Sequence, residues 1–227
     1  MKTKKYLTLF TTLFLFMVGC SFERTLKLDA RLSRPPAVKQ IPLRIGVYYN
    51  PEFTDFTKKL ELIGCGPNGR KDKSGIFFTF TIGEASKDLF DQCISSMFTA
   101  VLQIPSPRHC SNHASSIDGW LEPKIESFNW ETICSNDFFS QGRIVARVVY
   151  SVNLYGCDGR LVTSIESIGS SSEHPKVCLT KDCKDSLATE QAMQDAMAKF
   201  MIDFYDQPEV QQWLSSHIVV PPAGSLQ

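Results

Sequence analysis

The side chains best suited to chemistry in this sequence are two histidines and a cysteine in one short stretch. His109, Cys110 and His113 fall within five residues, and imidazole and thiolate groups are ligands that zinc prefers. A closed zinc site needs four ligands, and no motif in the sequence supplies the fourth. We therefore predict no bound metal and no cofactor, with metal binding by this cluster as the alternative.

A glycine-rich stretch matches the letters of a dinucleotide fingerprint. Gly64 to Gly69 spells GxGxxG, but Pro67 lies inside it and the next predicted element is a strand. A dinucleotide site needs a strand before the glycines and a helix that opens through them. The stretch is therefore predicted to be a turn.

The remaining candidates for acid–base or nucleophilic chemistry are also weak. Glu122 and Glu126 lie four residues apart in a predicted strand, a separation of about 13 Å, which is too long for two carboxylates to share a proton. We predict that both are solvated. The sequence contains no G-x-S-x-G motif and no recognisable spacing of serine, histidine and acid. No catalytic residue is predicted, and the chain is predicted not to be an enzyme.

Composition and charge limit the possible partners. The chain has 24 basic and 24 acidic residues, so no net field steers it toward nucleic acid or anionic lipid. Hydrophobic residues make up 43% of the chain and include 16 phenylalanines, more than a disordered chain carries. We expect a globular body and no nucleic-acid partner.

The first twenty residues have the pattern of a secretory signal. Lys2, Lys4 and Lys5 precede the apolar run 6–18, and Gly19 supplies a small residue before Cys20. The run is shorter than the roughly 20 apolar residues that span a bilayer. The sequence Met17-Val18-Gly19-Cys20 resembles the lipobox of bacterial lipoproteins, although Met17 replaces the usual leucine. The resemblance implies cleavage before Cys20 and acylation of Cys20, including a palmitate-type chain.

The lipobox also implies a location. Two or three acyl chains hold a protein stably at a membrane, so we expect a lipid-anchored protein that faces the periplasm. Ser21 occupies the position where an aspartate tends to retain lipoproteins of enteric bacteria in the inner membrane. A serine at this position, in place of aspartate, favours the outer membrane.

The other seven cysteines would lie in an oxidising compartment, where disulfides persist. Cys93 falls on the apolar stripe of a predicted helix and is the predicted free thiol. Cys178 and Cys183 are close enough in sequence to form a local bridge. Six cysteines allow 15 connectivities, and the pairing is otherwise open. The six candidate disulfide cysteines are Cys65, Cys110, Cys134, Cys157, Cys178 and Cys183.

Hydrophobic periodicity predicts the elements that carry these residues. Alternation over 143–155 and 160–168, joined by a Gly-Cys-Asp-Gly turn, predicts an antiparallel hairpin. Strands are also predicted over 41–49, 76–82 and 121–130; the last is placed at a sheet edge because it contains Pro123. Helical stripes run from 83 to Val101 and from 185 or 186 to Pro208, and a short helix covers 209–215.

These elements predict an α+β fold, with a mainly antiparallel sheet of about five strands and two amphipathic helices packed on one face. We predict a signal peptide over 1–19, a lipidated cysteine and tether over 20–40, one domain over 41–216 and a disordered tail over 217–227. Residues 51–63 are ambiguous between helix and strand.

The lipobox, the first strand, the helix after Gly83, the Tyr155–Gly159 hairpin and the C-terminal helix together resemble small bacterial envelope lipoproteins. These include the lipopolysaccharide-assembly, curli-assembly and transport-auxiliary lipoproteins. The resemblance implies a membrane-anchored, non-enzymatic interaction or assembly module with an envelope protein partner. The alternative is a periplasmic ligand-binding or metal-dependent hydrolytic domain that uses the loop 108–113.

Overall fold

The computed structural model describes residues 22–32, 39–107, 117–134, 143–173 and 186–217. These residues form four α-helices, eight strands and a single 3-10 turn at Pro67–Gly69. The helices are α1 (Pro51–Thr54), α2 (Ile82–Met97), α3 (Leu187–Asp206) and α4 (Pro208–His217). The strands are β1 (Phe22–Leu26), β2 (Ile41–Val47), β3 (Thr57–Cys65), β4 (Lys71–Thr81), β5 (Phe98–Gln103), β6 (Gly119–Ile133), β7 (Arg143–Gly156) and β8 (Leu161–Glu173).

The strands belong to two sheets. The first sheet has the order β1-β4-β3 and the second has the order β5-β2-β6-β7-β8. β1 is parallel to β4, and β2 is parallel to both β5 and β6. The α+β class is confirmed. The prediction of one sheet is incomplete: the described strands form two mixed sheets, and the five-stranded sheet is mainly antiparallel along β6, β7 and β8.

The predicted hairpin is confirmed. β7 and β8 pair antiparallel from Ile144↔Glu173 to Tyr155↔Leu161. Gly159 in the turn has φ of +78°, a left-handed conformation that glycine adopts without a steric penalty. Alternate residues of β7 are buried, so one face of the second sheet points into the core. These buried residues are Ile144, Ala146, Val148, Tyr150, Val152 and Leu154.

The two long helices pack on this one face, as predicted. The Ser86 and Tyr150 hydroxyls lie 2.8 Å apart, which places α2 over the centre of β7. Gly169 pairs with Val148, and an added Cβ at Gly169 would collide with the Ala192 carbonyl of α3. The glycine therefore allows α3 to lie directly on β8.

The first sheet packs against the same face through aromatic side chains. The Phe80 ring lies 5.4 Å from Phe128 and 5.5 Å from Trp130 of β6, and Phe78 lies 5.8 Å from Trp130. Since Phe128 pairs with Val148, these rings share the core face with the helices. The second sheet thus supports α2, α3 and the first sheet on one side.

β6 lies between β2 and β7 only at its start, so its predicted edge position is wrong at Leu121 and holds among the described strands for residues 122–130. β2 pairs only with Gly119–Leu121, while β7 pairs along almost the whole strand. Beyond Leu121 the β2 side of β6 has no ladder partner among the described strands. Pro123, which lacks an N–H, is therefore tolerated in a strand that is central at only one end.

The tether predicted over residues 20–40 is wrong where the structure describes it. Phe22–Leu26 pairs with Ile76–Phe80 as β1. The next residues bind α3, because the Asp29 N–H donates to Glu190 and the Gln194 side chain donates to the Arg31 carbonyl. This segment belongs to the folded body.

Two further boundaries differ from the predictions. α2 ends at Met97, and Val101 lies in β5 because residues 98–103 are rich in strand-forming side chains and pair with β2. The turn predicted over residues 64–69 is confirmed at Pro67–Gly69, but its first residues, Gly64 and Cys65, belong to β3. The ambiguous stretch 51–63 contains both α1 and most of β3.

The predicted helix before Pro208 and the short helix after it are confirmed as α3 and α4. Ser186 stands before α3, but its hydroxyl donates to the Glu190 carboxylate instead of capping a backbone N–H. Within the described ranges, the helices are all too short or too polar to cross a bilayer.

Candidate interaction site on the outer face of the second sheet

The face of the second sheet that points away from the helices carries a group of aromatic and polar side chains. The β6–β7 register places Trp120 opposite Tyr155 and Glu122 opposite Asn153. Their strand neighbours Leu121 and Leu154 point into the core, so period-two alternation sends this group to the other face. We call the group the aromatic–polar patch; its members are Tyr48, Trp120, Glu122, Lys124, Asn153 and Tyr155.

The aromatic part is a stack supported from below. The Trp120 and Tyr155 rings are 4.0 Å apart and nearly parallel, at 8°, and the Tyr48 ring meets Trp120 edge-on at 6.4 Å. Trp120 is buried against Ile104 and Ile117, whereas Tyr48 and Tyr155 are half-buried. Two tyrosine rings therefore offer apolar surface to a binding partner from a rigid base.

Gly46 makes this packing possible. A Cβ at position 46 would lie 2.8 Å from Ile117 Cδ1 and 3.1 Å from Trp120 Cβ. A larger residue there would push Trp120 away from the sheet. The absence of a side chain at Gly46 thus positions the stack.

The polar part converges on one carboxylate oxygen. The Tyr155 hydroxyl donates to Glu122 Oε2 at 3.3 Å, and Asn153 Nδ2 donates to it at 3.5 Å. Lys124 Nζ lies 3.5 Å from the same oxygen, and the Glu122 side chain is only 13% exposed. The prediction that Glu122 is solvated is wrong, because the pairing of β6 with β7 surrounds it with donors.

Burial raises the pKa of the Tyr155 phenol, and the neighbouring Glu122 carboxylate raises it further. Tyr155 therefore remains a neutral hydrogen-bond donor at physiological pH. The patch combines apolar rings, a carboxylate, an amide and an ammonium group, which suits recognition of a mixed apolar and polar surface.

Glu126 differs from Glu122. The register between β6 and β7 shifts between Ile125 and Ser127, so Glu126 is an extra residue in a β-bulge. Its side chain is exposed and accepts a hydrogen bond from the Ser151 hydroxyl. The predicted exposure of Glu126 therefore agrees with the structure, although the bulge was not predicted.

A pocket of about 210 Å³ lies beside the patch. It is bounded by the start of α1 and by the bulge of β6, and Lys124 borders both the pocket and the patch. The pocket thus extends the surface that a partner could occupy. Its lining residues are Asn50, Glu52, Phe53, Lys124, Ile125 and Glu126.

The structure places four of the predicted cysteine positions. Cys65 and Cys134 form a disulfide that links the end of β3 to the end of β6. Cys93 is buried in α2 without a disulfide, and burial raises its thiol pKa. Cys157 lies in the exposed turn between β7 and β8.

The other predicted site residues lie outside the described residues. They are Cys20, Cys110, Cys178, Cys183 and the histidines of the candidate metal cluster, His109 and His113. Among the residues that the structure does describe, no three His, Cys, Asp or Glu side chains are placed to hold a metal. The metal alternative at 109–113 stays untested.

Sequence reasoning missed the aromatic–polar patch for one reason. The alternation of β7 correctly assigned Leu154 to the core, which leaves Tyr155 and Asn153 on the outer face. Without a β6–β7 register, nothing in the sequence placed Trp120 and Glu122 opposite them. The sequence of a strand shows which of its residues share a face, and it does not show which strand is its partner.

No family model matches the chain, and no curated protein matches it. Several solved structures are similar to this chain. A DUF330 protein from Xanthomonas campestris is 14% identical, with a TM-score of 0.47 over 86% of this chain and 99% of its own. A minor lipoprotein from Acinetobacter baumannii is 4% identical, with a TM-score of 0.38 over 77% of this chain and 96% of its own.

A further similar structure is uncharacterized lipoprotein B from Nitrosomonas europaea. It is 14% identical, with a TM-score of 0.38 over 82% of this chain and 96% of its own. Two of these three proteins are named as lipoproteins.

Proposed function

We propose that this chain is a lipoprotein of the bacterial cell envelope, attached to the membrane by acyl chains on Cys20, and that its body is a non-enzymatic interaction module. The observation that supports the interaction module is the aromatic–polar patch. Its partner would be another envelope protein. The proposed membrane attachment rests on the lipobox at Met17–Cys20.

The patch has the chemistry of a protein interface. Tyrosine and tryptophan are enriched at the centres of interfaces, and polar groups form the rim. Here the half-buried Tyr48 and Tyr155 rings form the apolar centre, while Lys124 and Asn153 lie beside them. The stacked rings and the sheet hold these groups in place, which reduces the entropy lost on binding.

The anchor and its membrane can be tested separately from the patch. Metabolic labelling with palmitate should mark the wild-type chain, and Cys20→Ala should abolish the label. Because Ser21 follows the cysteine, we propose the outer membrane, and fractionation of inner and outer membranes measures this. An unlabelled wild-type chain would contradict the anchor and leave the patch untouched.

Crosslinking of intact cells followed by affinity purification of the tagged full chain tests the patch. We expect one reproducible envelope protein with the wild type. Lys124→Ala should reduce its recovery by about fivefold, the effect of roughly 1 kcal/mol at an interface. Tyr48→Ala should reduce it by more than tenfold, because aromatic residues at interface centres contribute roughly 2 kcal/mol.

Lys199→Ala is the matched control. Lys199 Nζ pairs with the Asp195 carboxylate at 2.8 Å, and its side chain is 49% exposed, against 45% for Lys124. It lies on α3, on the other side of the sheet. Equal recovery with Lys124→Ala and Lys199→Ala, or no reproducible partner at all, would contradict an interaction at the patch.

A further inference from the structure

The hairpin of β3 and β4 extends well past the start of β1. Phe22, the first residue of β1, pairs with Ile76, while β4 begins five residues earlier at Lys71. Five strand residues cover about 17 Å. Because β1 runs parallel to β4, Phe22 is the end of β1 that lies toward this extension.

The disulfide fixes the extension to one end of the second sheet. The Cα atoms of Cys65 and Cys134 are 5.4 Å apart, and Cys134 directly follows β6. Ile133, which is 40% exposed, and Phe22, which is 62% exposed, therefore lie at the same end of the molecule as the hairpin tip. We call this region the hairpin end; it comprises Phe22, Arg70, Lys71, Lys73 and Ile133.

The tip of the hairpin is basic although the whole chain is neutral. Positions 70–73 hold three cations and one carboxylate, Asp72. Asp72 pairs with Arg70 at 3.0 Å. Lys71 and Lys73 are exposed and form no ion pair with any other described residue. Two positive charges are thus available to an outside ligand.

The covalent chain places the proposed anchor beside this end. Only Ser21 separates Cys20 from Phe22, and consecutive Cα atoms are 3.8 Å apart, so the two Cα atoms lie within about 7.6 Å of each other. Acyl chains on Cys20 would hold Phe22 at the level of the lipid headgroups. The body could not stand away from the bilayer on a long tether.

We propose that the hairpin end binds the membrane surface, with Lys71 and Lys73 on anionic phospholipid headgroups and Phe22 in the interfacial region. This rests on the proposed lipidation of Cys20. Basic side chains near an anionic surface and exposed aromatic side chains are the two features that hold peripheral proteins on a bilayer.

This orientation also determines which way the aromatic–polar patch faces. Trp120 lies at the start of β6, opposite Tyr155 near the end of β7, whereas Ile133 ends β6 at the membrane. A strand of 15 residues is about 50 Å long. The patch therefore faces the aqueous compartment at the end of the molecule far from the lipid.

Fluorescence quenching by brominated lipids tests the proposal on the full acylated chain reconstituted in vesicles. The three native tryptophans are at most 7% exposed, so their emission can be subtracted with the wild-type protein. We expect the added emission of Phe22→Trp to be quenched in brominated vesicles rich in phosphatidylglycerol. Leu161→Trp, at a 54% exposed position at the opposite end, is the matched control and should not be quenched.

The charge contribution is measured in the Phe22→Trp background. Molecules whose added tryptophan is quenched have the hairpin end on the membrane, and the others do not. Lys71→Ala and Lys73→Ala should each reduce the ratio of these two populations by about fivefold on anionic vesicles. Lys199→Ala should leave the ratio unchanged. Vesicles of brominated phosphatidylcholine alone should give weaker quenching, and equal quenching there would overturn the role of anionic headgroups.

The mass of the reconstituted chain separates the two possible failures. If the acyl mass is present and the added emission of Phe22→Trp is not quenched, the membrane-facing orientation is wrong and the proposed anchor stands. If the acyl mass is absent, the anchor fails and the orientation fails with it. Quenching of the added emission in both Phe22→Trp and Leu161→Trp would show that the folded body has no preferred orientation on the membrane. This result would also overturn the proposal.

Discussion

The two sheets of this protein are held together in different ways. In the second sheet, every second residue of β7 from Ile144 to Leu154 is buried, and α3 lies directly on Gly169 of β8. In the first sheet, only Leu26, Phe78 and Phe80 are buried. The second sheet is stabilised by its own core, whereas the first depends on a few aromatic contacts and one disulfide.

The difference follows from which faces are covered. The second sheet supports two helices and the first sheet on a single face, so its core is continuous. Only one end of the first sheet packs against that face. The rest of its β3–β4 hairpin projects into solvent. A projecting hairpin adds little to stability, and it is available for binding at a surface.

The largest effect that separates the sheets should come from the disulfide. Cys65 and Cys134 close a loop with a sequence separation of 69. Replacing both by serine should lower the free energy of unfolding by about 4 kcal/mol in the chain-entropy account of disulfides. Denaturant unfolding of the oxidised proteins measures the change.

Hydrogen exchange shows where that stability is lost. Amides of β3 and β4 should accelerate by a larger factor than amides of β7, because the hairpin is no longer tied to Cys134 and opens locally, whereas β7 exchanges only through global unfolding. Cys93→Ala is the control, since Cys93 is buried in α2 without a disulfide. A loss below about 1 kcal/mol, or equal acceleration in both sheets, would contradict the comparison.

The next effect concerns the second sheet alone. In Gly169→Ala, the new methyl group would collide with the Ala192 carbonyl and lie 2.6 Å from the Ala196 nitrogen. Both are backbone atoms of α3 and cannot move away as a flexible side chain would. We expect a loss of about 3 kcal/mol, at the upper end of the usual cost of overpacking, measured by denaturant unfolding.

Gly64→Ala is the matched control in the first sheet. A Cβ at Gly64 would have the Asp72 carbonyl oxygen as its nearest neighbour, at 3.6 Å, an ordinary contact distance. The stability change should be below about 1 kcal/mol. If the two glycine variants lost equal stability, the close packing of α3 on β8 would not be the cause of the loss in Gly169→Ala.

The elements that were predictable from the sequence have strong local patterns. The alternation of β7 and β8 and the turn at Gly159 predicted a hairpin, and the helical stripes predicted α2 and α3. These signals are local because each strand or helix shows its buried face in its own periodicity. The contact of β6 with β2 was not predictable, because it involves only Gly119–Leu121 and the partner strand is distant in the sequence.

Residues 22–32 and the aromatic–polar patch could not be predicted for a related reason. β1 has only five residues, and its parallel partner β4 lies about 50 positions later in the chain. Its burial pattern, with one fully buried residue, Leu26, carries no clear period. Likewise, the surroundings of Glu122 come from a neighbouring strand, and composition alone does not show them.

The smallest effect should come from an exposed ion pair on the first sheet. Lys59 Nζ lies 2.6 Å from Glu23, and both side chains are about half exposed. The hydrogen bond from Lys59, aided by one from Thr79, lowers the pKa of Glu23. In Lys59→Ala, that pKa should return toward its usual range, and NMR titration of the carboxyl carbon measures the shift.

The sign of the associated pH dependence follows from that direction. Because the folded-state pKa is the lower one, the pair stabilises the protein above the usual carboxyl range and the stabilisation is lost as pH falls through the lowered pKa. Solvent screening keeps this contribution small, so it should hardly change the unfolding midpoint. Lys58→Ala, on the other face of β3, should leave the Glu23 titration unchanged; an equal shift in both variants would show that the lowered pKa of Glu23 comes from the general positive charge of β3 and not from this ion pair.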